Sequence, residues 1–385
     1  MKTSAFIIFL SVVLTVYSLI NFYIFIRGWQ AIPSNSAFRK IYLIIFLFLV
    51  LSYIIGRVLE RFWVSPVSEA FIWIGSFWLS AILYFVLIII ILDFTRLLNE
   101  TTQFYPSFAT FNYAGTKIII FVFSVVMVSG LLFYGYINAR TPKLTELKLS
   151  VNKKAGLIKD LNIVVASDIH LGTIVGNEIF GHIVERINSL NPDLILLAGD
   201  IVDEDLGPVI RNNIGEHLLN LKSKYGVFGI TGNHEYIGGA EAACNYLAEH
   251  GITMLRDTAV FVNESFYIAG REDKDIERFS GKKRKSLDKI LTGADRSFPI
   301  IVMNHQPTEF DEAVKAGTDL HLSGHTHHGQ MWPLTYITDF VYELSVGYLK
   351  KSGTHFYVSS GAGTWGPPVR IGTTPEIVNI KLKFE

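Results

Sequence analysis

The hydrophobic positions of this chain are concentrated in its first 140 residues. Four nearly continuous apolar stretches, each flanked by charged residues, occupy positions 4–26, 41–62, 70–92 and 117–137. A helix that crosses the hydrocarbon core of a bilayer needs about 20 predominantly apolar residues. Three stretches reach that length as they stand, and the second does so once Arg57 and Arg61 extend their charges toward the interface. The pattern predicts a transmembrane domain of four helices over residues 1–140, followed by a connector at 141–155.

Two other interpretations of the apolar stretches fit the sequence less well. A signal peptide has a shorter apolar core than positions 4–26, and no small-residue cleavage site follows this stretch. Buried helices of a soluble protein rarely come as four consecutive runs with so few charges between them. We therefore expect a multi-pass integral protein of the cell membrane with both termini on one side. The distribution of lysine and arginine favours the cytoplasmic side for the C-terminal domain.

Residues 156–385 show a different pattern, in which short strands alternate with amphipathic helices. Strand runs at 162–166, 193–197 and 226–230 are separated by helical spacing at 177–190 and 210–221. Strands that alternate with helices predict α/β layering. Since the part after residue 250 is richer in strands, we expect a second sheet packed on the first.

Five polar clusters follow predicted strands of this domain. Groups at the carboxyl ends of strands in an α/β sheet converge on one crevice. Without metal ions, so many carboxylates and imidazoles at one edge would be a costly concentration of desolvated polar groups. The clusters are Asp168 and His170; Asp200 and Asp203; Asn233, His234 and Glu235; Asn304 and His305; and His325, His327 and His328.

The ligand types in these clusters predict two divalent metal ions. Asp168 and His170 are two positions apart, so both side chains can face the same side of an extended strand end. His325 and His327 repeat this spacing, and Asp200 follows a glycine that allows a sharp turn. Carboxylate, imidazole and amide ligands suit Mn²⁺ best here, with Fe or Zn²⁺ as alternatives. Two such ions can clamp a phosphate and generate a hydroxide nucleophile near neutral pH.

In order along the chain, the motifs read D-x-H, GDxxD, GNH[DE], H and GHxH, and this series resembles the calcineurin-like metallophosphoesterases. The resemblance covers about residues 155–385 and implies a four-layer α/β/β/α sandwich. The run 324–333 and the tail 360–370 are similar to the membrane-associated bacterial branch that includes UDP-2,3-diacylglucosamine pyrophosphatase-like enzymes.

The resemblance also implies a role for each residue of the motifs. His234 would protonate the leaving oxygen or stabilise the transition state, and Asp203 would orient a ligand histidine. Glu235 stands where the family has Asp or Glu. The first ion would be held by Asp168, His170, Asp200 and His327, and the second by Asp200, Asn233, His305 and His325.

Several other features have competing interpretations. The Gly361-x-Gly363-x-x-Gly366 pattern matches a dinucleotide fingerprint, but two prolines follow it where a helix should begin. We expect instead a turn that brings Trp365 and Arg370 near the site.

His328 is expected to be a pocket group and not a ligand. The basic run 282–285 is either a solvated loop or a contact for anionic headgroups. Arg271 and Asp273 either reach the substrate or form a plain turn, and the apolar stretch 336–349 either contacts the bilayer or cleft or belongs to the core.

Composition narrows the choice of function. The formal net charge is zero, so no global field favours nucleic acid as a partner, and the single cysteine excludes an intramolecular disulfide. The first hypothesis is hydrolysis of a phosphodiester or pyrophosphate in a lipid-linked substrate. The second is hydrolysis of soluble nucleotides or phosphoproteins by a tethered enzyme. The third is an inactive membrane sensor or scaffold, which is disfavoured because no ligand position is missing. The sequence makes no prediction of the oligomeric state.

Overall fold

The computed structural model describes residues 3–107 and 112–385, which divide into two compact units at residues 135 and 136. Within the described residues of the first unit, four helices are long and apolar enough to cross a membrane, as predicted. The helix α3 continues about ten residues past the apolar stretch, because a helix does not have to end where its apolar segment ends. The four helices are α1 (Thr3–Ala31), α2 (Phe38–Phe62), α3 (Pro66–Thr102) and α4 (Tyr113–Ala139).

Close backbone contact and a few polar bonds hold the first three helices together. A Cβ atom at Gly75 would lie 2.3 Å from the backbone nitrogen of Tyr53, so only glycine fits where α3 crosses α2. The indole of Trp78 donates to Asn21 Oδ1 at 2.9 Å, which joins α3 to α1. Small residues and interhelical hydrogen bonds of this kind are typical of packing in membranes.

The second unit is built from two six-stranded sheets. The first sheet has the order β1-β12-β2-β3-β4-β5, with β2 to β5 parallel and β12 antiparallel to β2. Its strands are β1 (Lys143–Val151), β2 (Asp160–Ala166), β3 (Leu194–Leu197), β4 (Val227–Gly229), β5 (Thr253–Met254) and β12 (Glu376–Phe384).

The second sheet has the order β10-β11-β9-β8-β7-β6, with β7, β8, β9 and β11 parallel. Its strands are β6 (Thr258–Val262), β7 (Phe266–Gly270), β8 (Ile300–Met303), β9 (Leu320–Ser323), β10 (Gly347–Lys351) and β11 (Thr354–Val358).

Helices connect these strands. They are α5 (Asn177–Ser189), α6 (Leu206–Arg211), α7 (Asn233–Gly238), α8 (Ala240–Glu249), α9 (Ile276–Ser280), α10 (Leu287–Ile290), α11 (Phe310–Lys315) and α12 (Thr335–Val341).

The two sheets pack face to face over one hydrophobic core. Ile163 and Leu196 of the first sheet belong to the same buried cluster as Ile301 and Leu322 of the second. On the outer face of the second sheet, Phe310 of α11 packs in a separate buried cluster with strand residues such as Val302. The four-layer α/β/β/α sandwich predicted above is therefore confirmed. This packing brings the carboxyl ends of β2, β3 and β4 opposite those of β8 and β9.

Gly75 and Gly130 offer a matched test of helix packing in the first unit. Gly75→Ala should lower the free energy of unfolding by about 1–3 kcal/mol, because the new methyl group meets the backbone of α2. Gly130→Ala should leave stability unchanged or raise it by up to about 1 kcal/mol, since a Cβ there meets nothing within 4 Å. Thermal unfolding of both variants in detergent measures the difference, and equal shifts would contradict the close crossing of α2 and α3.

Candidate functional site

Several residues of the predicted site have a left-handed backbone. Asp168 and His170 follow β2 with φ of 51° and 54°, and Asp200 follows β3 with φ of 49°. His325 and His327, after β9, have φ of 72° and 46°. Non-glycine residues adopt positive φ uncommonly, and such residues cluster at functional sites. The strained turns point side chains of both sheets into one space.

Two glycines make room for the carboxylates at the centre of the site. A Cβ atom at Gly232 would lie 2.1 Å from Asp200 Oδ1. One at Gly324 would lie 2.1 Å from Asp168 Oδ2. Any side chain at either position would displace a predicted metal ligand, which explains why the GNH and GHxH motifs begin with glycine.

The first group of candidate ligands consists of Asp168, His170 and His327. The Nε2 atoms of His170 and His327 are 3.0 Å apart, and His327 Nε2 lies 3.5 Å from Asp168 Oδ1. One ligand atom from each of the three residues lies within 4.8 Å of the other two. All three residues are buried. The spacing is suited to one metal ion held between them.

The second group consists of Asp200, His305 and His325, with Asn233 beside it. His305 Nε2 lies 3.1 Å from Asp200 Oδ2, and His325 Nδ1 lies 2.8 Å from Asn233 Oδ1. The same Asp200 oxygen lies 3.8 Å from His170 Nε2 of the first group. The Asp200 carboxylate therefore lies between the two groups, where a shared ligand must be.

The hydrogen bonds of His305 test whether these residues fit a metal ion. Its Nδ1 lies 2.8 Å from the Ala198 carbonyl oxygen, so Nδ1 carries a proton and donates a hydrogen bond to that oxygen. Its Nε2 is buried and lies 3.1 Å from Asp200 Oδ2, but the geometry there does not make a hydrogen bond, and no other partner is present within residues 3–107 and 112–385. Buried polar atoms are nearly always hydrogen-bonded, and an exception needs an explanation. A cation at this position would satisfy Nε2, so the residues present fit a metal.

The protonation of the histidines supports the same conclusion. Burial and the nearby His305 lower the pKa of His325 to about 3. Burial and the Arg370 guanidinium hold the pKa of His327 well below its usual value. Although burial disfavours a charged His305, Asp200 and Asp168 raise its pKa well above the usual value. Two candidate ligand histidines are thus already neutral, whereas a metal ion would have to displace the Nε2 proton of His305.

The predicted acid–base pair lies at the edge of the first group. Asp203 Oδ1 lies 3.1 Å from His234 Nδ1 and 3.4 Å from His170 Nδ1. Burial lowers the pKa of His234, but the carboxylates of Asp203 and Asp200 outweigh this effect and raise it to about 9. His234 is therefore protonated at neutral pH, with Nδ1 toward Asp203 and Nε2 left for another partner. Asp203 contacts both a candidate ligand and the candidate acid.

Glu235 has a structural role that the sequence did not reveal. Its buried carboxylate accepts hydrogen bonds from the backbone nitrogens of Asp200, Val202 and Gly232, at 3.2, 2.9 and 2.7 Å. These bonds tie the turn after β3 to the start of α7. Glu235 thus fixes the backbone at Asp200 and is not one of the candidate metal ligands. The position of Glu235 directly after Asn233 and His234 was the one feature of the sequence that pointed to a role at this site.

The glycine-rich tail is a loop against the site, as expected, and no helix follows it. Gly363 N donates to the Asp168 carbonyl at 3.0 Å, and Trp365 packs edge-on against His234 with ring centroids 5.7 Å apart. Arg370 is fully buried, and its guanidinium contacts His327 at both the carbonyl oxygen, 2.8 Å, and Nδ1, 2.9 Å. Arg370 is therefore positioned to hold His327.

The remaining sequence candidates lie outside the metal space. His328 Nε2 contacts Asp339 Oδ1 of α12 at 3.3 Å, so His328 contacts a neighbouring helix and is not placed as a metal ligand.

In the basic run, Arg284 is largely buried and bonds to Asn304 and Glu309, whereas Lys282 and Lys283 are exposed. Arg271 is buried and forms ion pairs with Glu309 and Glu312. Asp273 is also buried and accepts a hydrogen bond from Gln306 at 3.0 Å. Arg271 and Arg284 thus stabilise the fold.

Comparison with known proteins gives a consistent result. The calcineurin-like phosphoesterase family model matches residues 161–329. An uncharacterized metallophosphoesterase of Aquifex aeolicus is 31% identical over 226 residues, which cover 58% of this chain and 85% of that protein. One of Helicobacter pylori is 34% identical, over 64% of this chain and 65% of its own length. The transmembrane protein with metallophosphoesterase domain of Danio rerio is 32% identical, over 68% of this chain and 62% of that protein. The chain thus spans less than two thirds of the last two relatives.

Removing the charge of Asp200 tests the shared position. Asp200→Asn should lower the amount of bound divalent metal, because one side chain serves both groups of candidate ligands. Elemental analysis of the purified protein gives the metal content. Asp160→Asn, at an exposed carboxylate at the start of β2, is the control and should bind metal normally. Normal metal content in Asp200→Asn would refute the shared position.

Proposed function

Because the chain belongs to the calcineurin-like metallophosphoesterase family, we propose that it is a membrane-anchored hydrolase of a phosphodiester or pyrophosphate in a lipid-linked substrate. The observation that carries the proposal is the exposed apolar surface directly beside the candidate metal centre. The four apolar helices support a membrane location. We place the catalytic domain on the cytoplasmic side, which the lysine and arginine distribution favours.

In this proposal the two groups of ligands hold two divalent ions, with Mn²⁺ expected and Fe or Zn²⁺ as alternatives. When bound, the ions would neutralise phosphoryl oxygens and lower the pKa of the attacking water. The ligands of one ion are Asp168, His170, Asp200 and His327, and those of the other are Asp200, Asn233, His305 and His325.

His234 supplies the proton that the leaving oxygen needs. Its imidazolium is held at Nδ1 by Asp203, so Nε2 is the atom that donates. The ring of Trp365 packs edge-on against the imidazole of His234. Asp203 also orients His170, so one carboxylate sets both the acid and a metal ligand.

The apolar surface consists of Tyr336, Ile337, Phe340 and Val341 of α12, and 91% of Phe340 is exposed. The helix is tied to the metal-binding turn, since His328 contacts Asp339 and Thr326 Oγ1 donates to the Ser345 carbonyl at 2.6 Å. Contiguous apolar residues on a water-exposed surface mark sites of interaction. We therefore assign this surface to the acyl part of the substrate. The similarity of the run 324–333 and the tail 360–370 to UDP-2,3-diacylglucosamine pyrophosphatase-like enzymes supports this choice.

Full-length protein with Mn²⁺, assayed on a soluble aryl phosphodiester and on a lipid pyrophosphate in mixed micelles, tests the proposal. Faster turnover of the lipid supports it. Turnover of the soluble ester alone would favour a tethered enzyme for nucleotides or phosphoproteins. Turnover of neither substrate with any divalent metal would favour an inactive sensor or scaffold.

The role of His234 can be separated from metal binding. His234→Ala should retain both ions and lower kcat by about 10²–10⁴-fold, the usual contribution of an acid–base group. Metal content and kcat are measured on the same preparation, with Asp200→Asn as the variant expected to lose metal. If His234→Ala also loses metal, the residue is a ligand and not the acid.

The apolar surface of α12 gives a prediction about specificity. Phe340→Asp should lower kcat/KM for the lipid pyrophosphate by about tenfold or more, because an aromatic contact with the acyl chain is lost. The ratio of lipid to soluble ester turnover is the measurement. Leu157→Asp is the control, since Leu157 is a fully exposed apolar residue that precedes the amino end of β2, whereas the candidate site lies at the carboxyl ends of the strands. An unchanged ratio in Phe340→Asp would remove the surface from substrate binding.

A further inference from the structure

The four helices of the first unit line a partly open cavity of about 1450 Å³, and each of them contributes lining residues. This volume exceeds that of ordinary small-molecule pockets, which range from about 300 to 1,000 Å³. The cavity lies within the first unit and contains no residue of the candidate metal centre. Its occupant can be inferred from the distribution of charge and apolar surface along its length.

One end of the cavity is rich in positive charge. The lining includes Arg27 at the end of α1, Arg39 at the start of α2, Arg96 near the end of α3 and Lys117 at the start of α4. Arg27 is neutralised by an ion pair with Asp93.

The other cations at this end are not neutralised in the same way. Arg39 donates to the Ile32 carbonyl, and Lys117 lies over the ring of Tyr113 with Nζ 4.5 Å from its centroid. Within residues 3–107 and 112–385, neither Arg96 nor Lys117 forms an ion pair. Glu100 is the one other carboxylate in the described lining, so this end carries a net positive charge.

The rest of the cavity is apolar and long. Away from the charged end it is lined mainly by aliphatic and aromatic side chains, among them Phe46, Trp78, Ile89, Val125 and Leu132. From Lys117 to Leu132 the helix α4 rises about 22 Å, at 1.5 Å per residue. One leaflet of the hydrocarbon core is about 15 Å thick, so an acyl chain fits along this length.

We propose that the cavity is a binding site for one anionic phospholipid. The phosphate lies at Arg96 and Lys117, and an acyl chain extends between the helices toward Leu132. Charge complementarity favours an anionic lipid over a zwitterionic one, because outside the Arg27–Asp93 ion pair this end has three lining cations, Arg39, Arg96 and Lys117, and one carboxylate, Glu100. The site is independent of the proposed catalytic function.

Native mass spectrometry of the full-length protein in detergent, titrated with palmitoyl-oleoyl phosphatidylglycerol or phosphatidylcholine, tests the site. We expect one tightly retained phosphatidylglycerol and weaker retention of phosphatidylcholine. Lys117→Gln should weaken phosphatidylglycerol binding about fivefold, and Lys117→Gln with Arg96→Gln about 30-fold. Lys40→Gln is the control, since Lys40 is exposed at the same end of the bundle but does not line the cavity.

A neighbouring pair of residues on α4 tests the apolar part. Val125 lines the cavity, whereas Val126 does not and is 64% exposed. Val125→Trp should reduce retention of phosphatidylglycerol, and Val126→Trp should not. Thermal unfolding shows whether each variant is folded, and Lys117→Arg should retain binding if charge is what matters.

Three results would overturn the proposal. The first is equal retention of the two lipids by the unmodified protein. The second is an equal effect of Lys117→Gln and Lys40→Gln, which would indicate general attraction of lipid to a basic face. The third is unchanged retention in a folded Val125→Trp variant, which would place the lipid on the outside of the bundle. Hydrolysis of the soluble ester is not a readout here, so failure of the catalytic proposal does not affect the test.

Discussion

The carboxylate of Asp200 lies between His170 and His305, and the arrangement of the candidate metal centre depends on this contact. One of its oxygens lies 3.8 Å from the first imidazole and 3.1 Å from the second, and the two histidines follow strands of different sheets. The contact exists only if the sheets pack face to face with their strand ends opposed. It also needs a left-handed turn at Asp200 and glycine at position 232. The packing of the two sheets, the left-handed turn at Asp200 and the position of its carboxylate therefore depend on one another.

The sequence predicted the layered fold and the residues that converge, because hydrophobic periodicity and motif spacing are local properties. It did not predict how the site is held. The carboxylate of Glu235 accepts three backbone hydrogen bonds, and Arg370 contacts a histidine 43 positions away, so both roles depend on tertiary contacts. The positive φ of His327 likewise depends on tertiary structure, because the turn has to direct the His327 ring toward the other candidate ligands. Helix α3 extends past its apolar stretch because apolarity reports membrane thickness and not helix length.

The basic residues of the chain have different roles that composition alone does not separate. Arg271 and Arg284 are paired with acidic residues and hold the loop beside Asn304 in place. Lys117 and Arg96 have no such carboxylate partner in the described part of the chain, and they lie beside apolar surface. A paired arginine contributes to packing, whereas an unpaired cation next to an apolar cavity is available for an anionic ligand. The candidate lipid site at Arg96 and Lys117 is therefore identified by the surroundings of these charges. The basic run 282–285 has more basic residues in sequence, but its number of charges alone does not indicate a binding site.

The protonation of His305 links the metal centre to the stability of its surroundings. Without a cation, Asp168 and Asp200 would be two buried carboxylates that repel each other, and burial together with the Asp200 charge raises the pKa of Asp168. The proton on His305 supplies one positive charge between them, which is why its pKa is raised and that of Asp200 is lowered despite burial. A metal ion held by these residues would take the place of that proton and supply a larger positive charge. The buried cluster therefore holds a positive charge in either state, and the fold keeps its ligands close together before the metal binds.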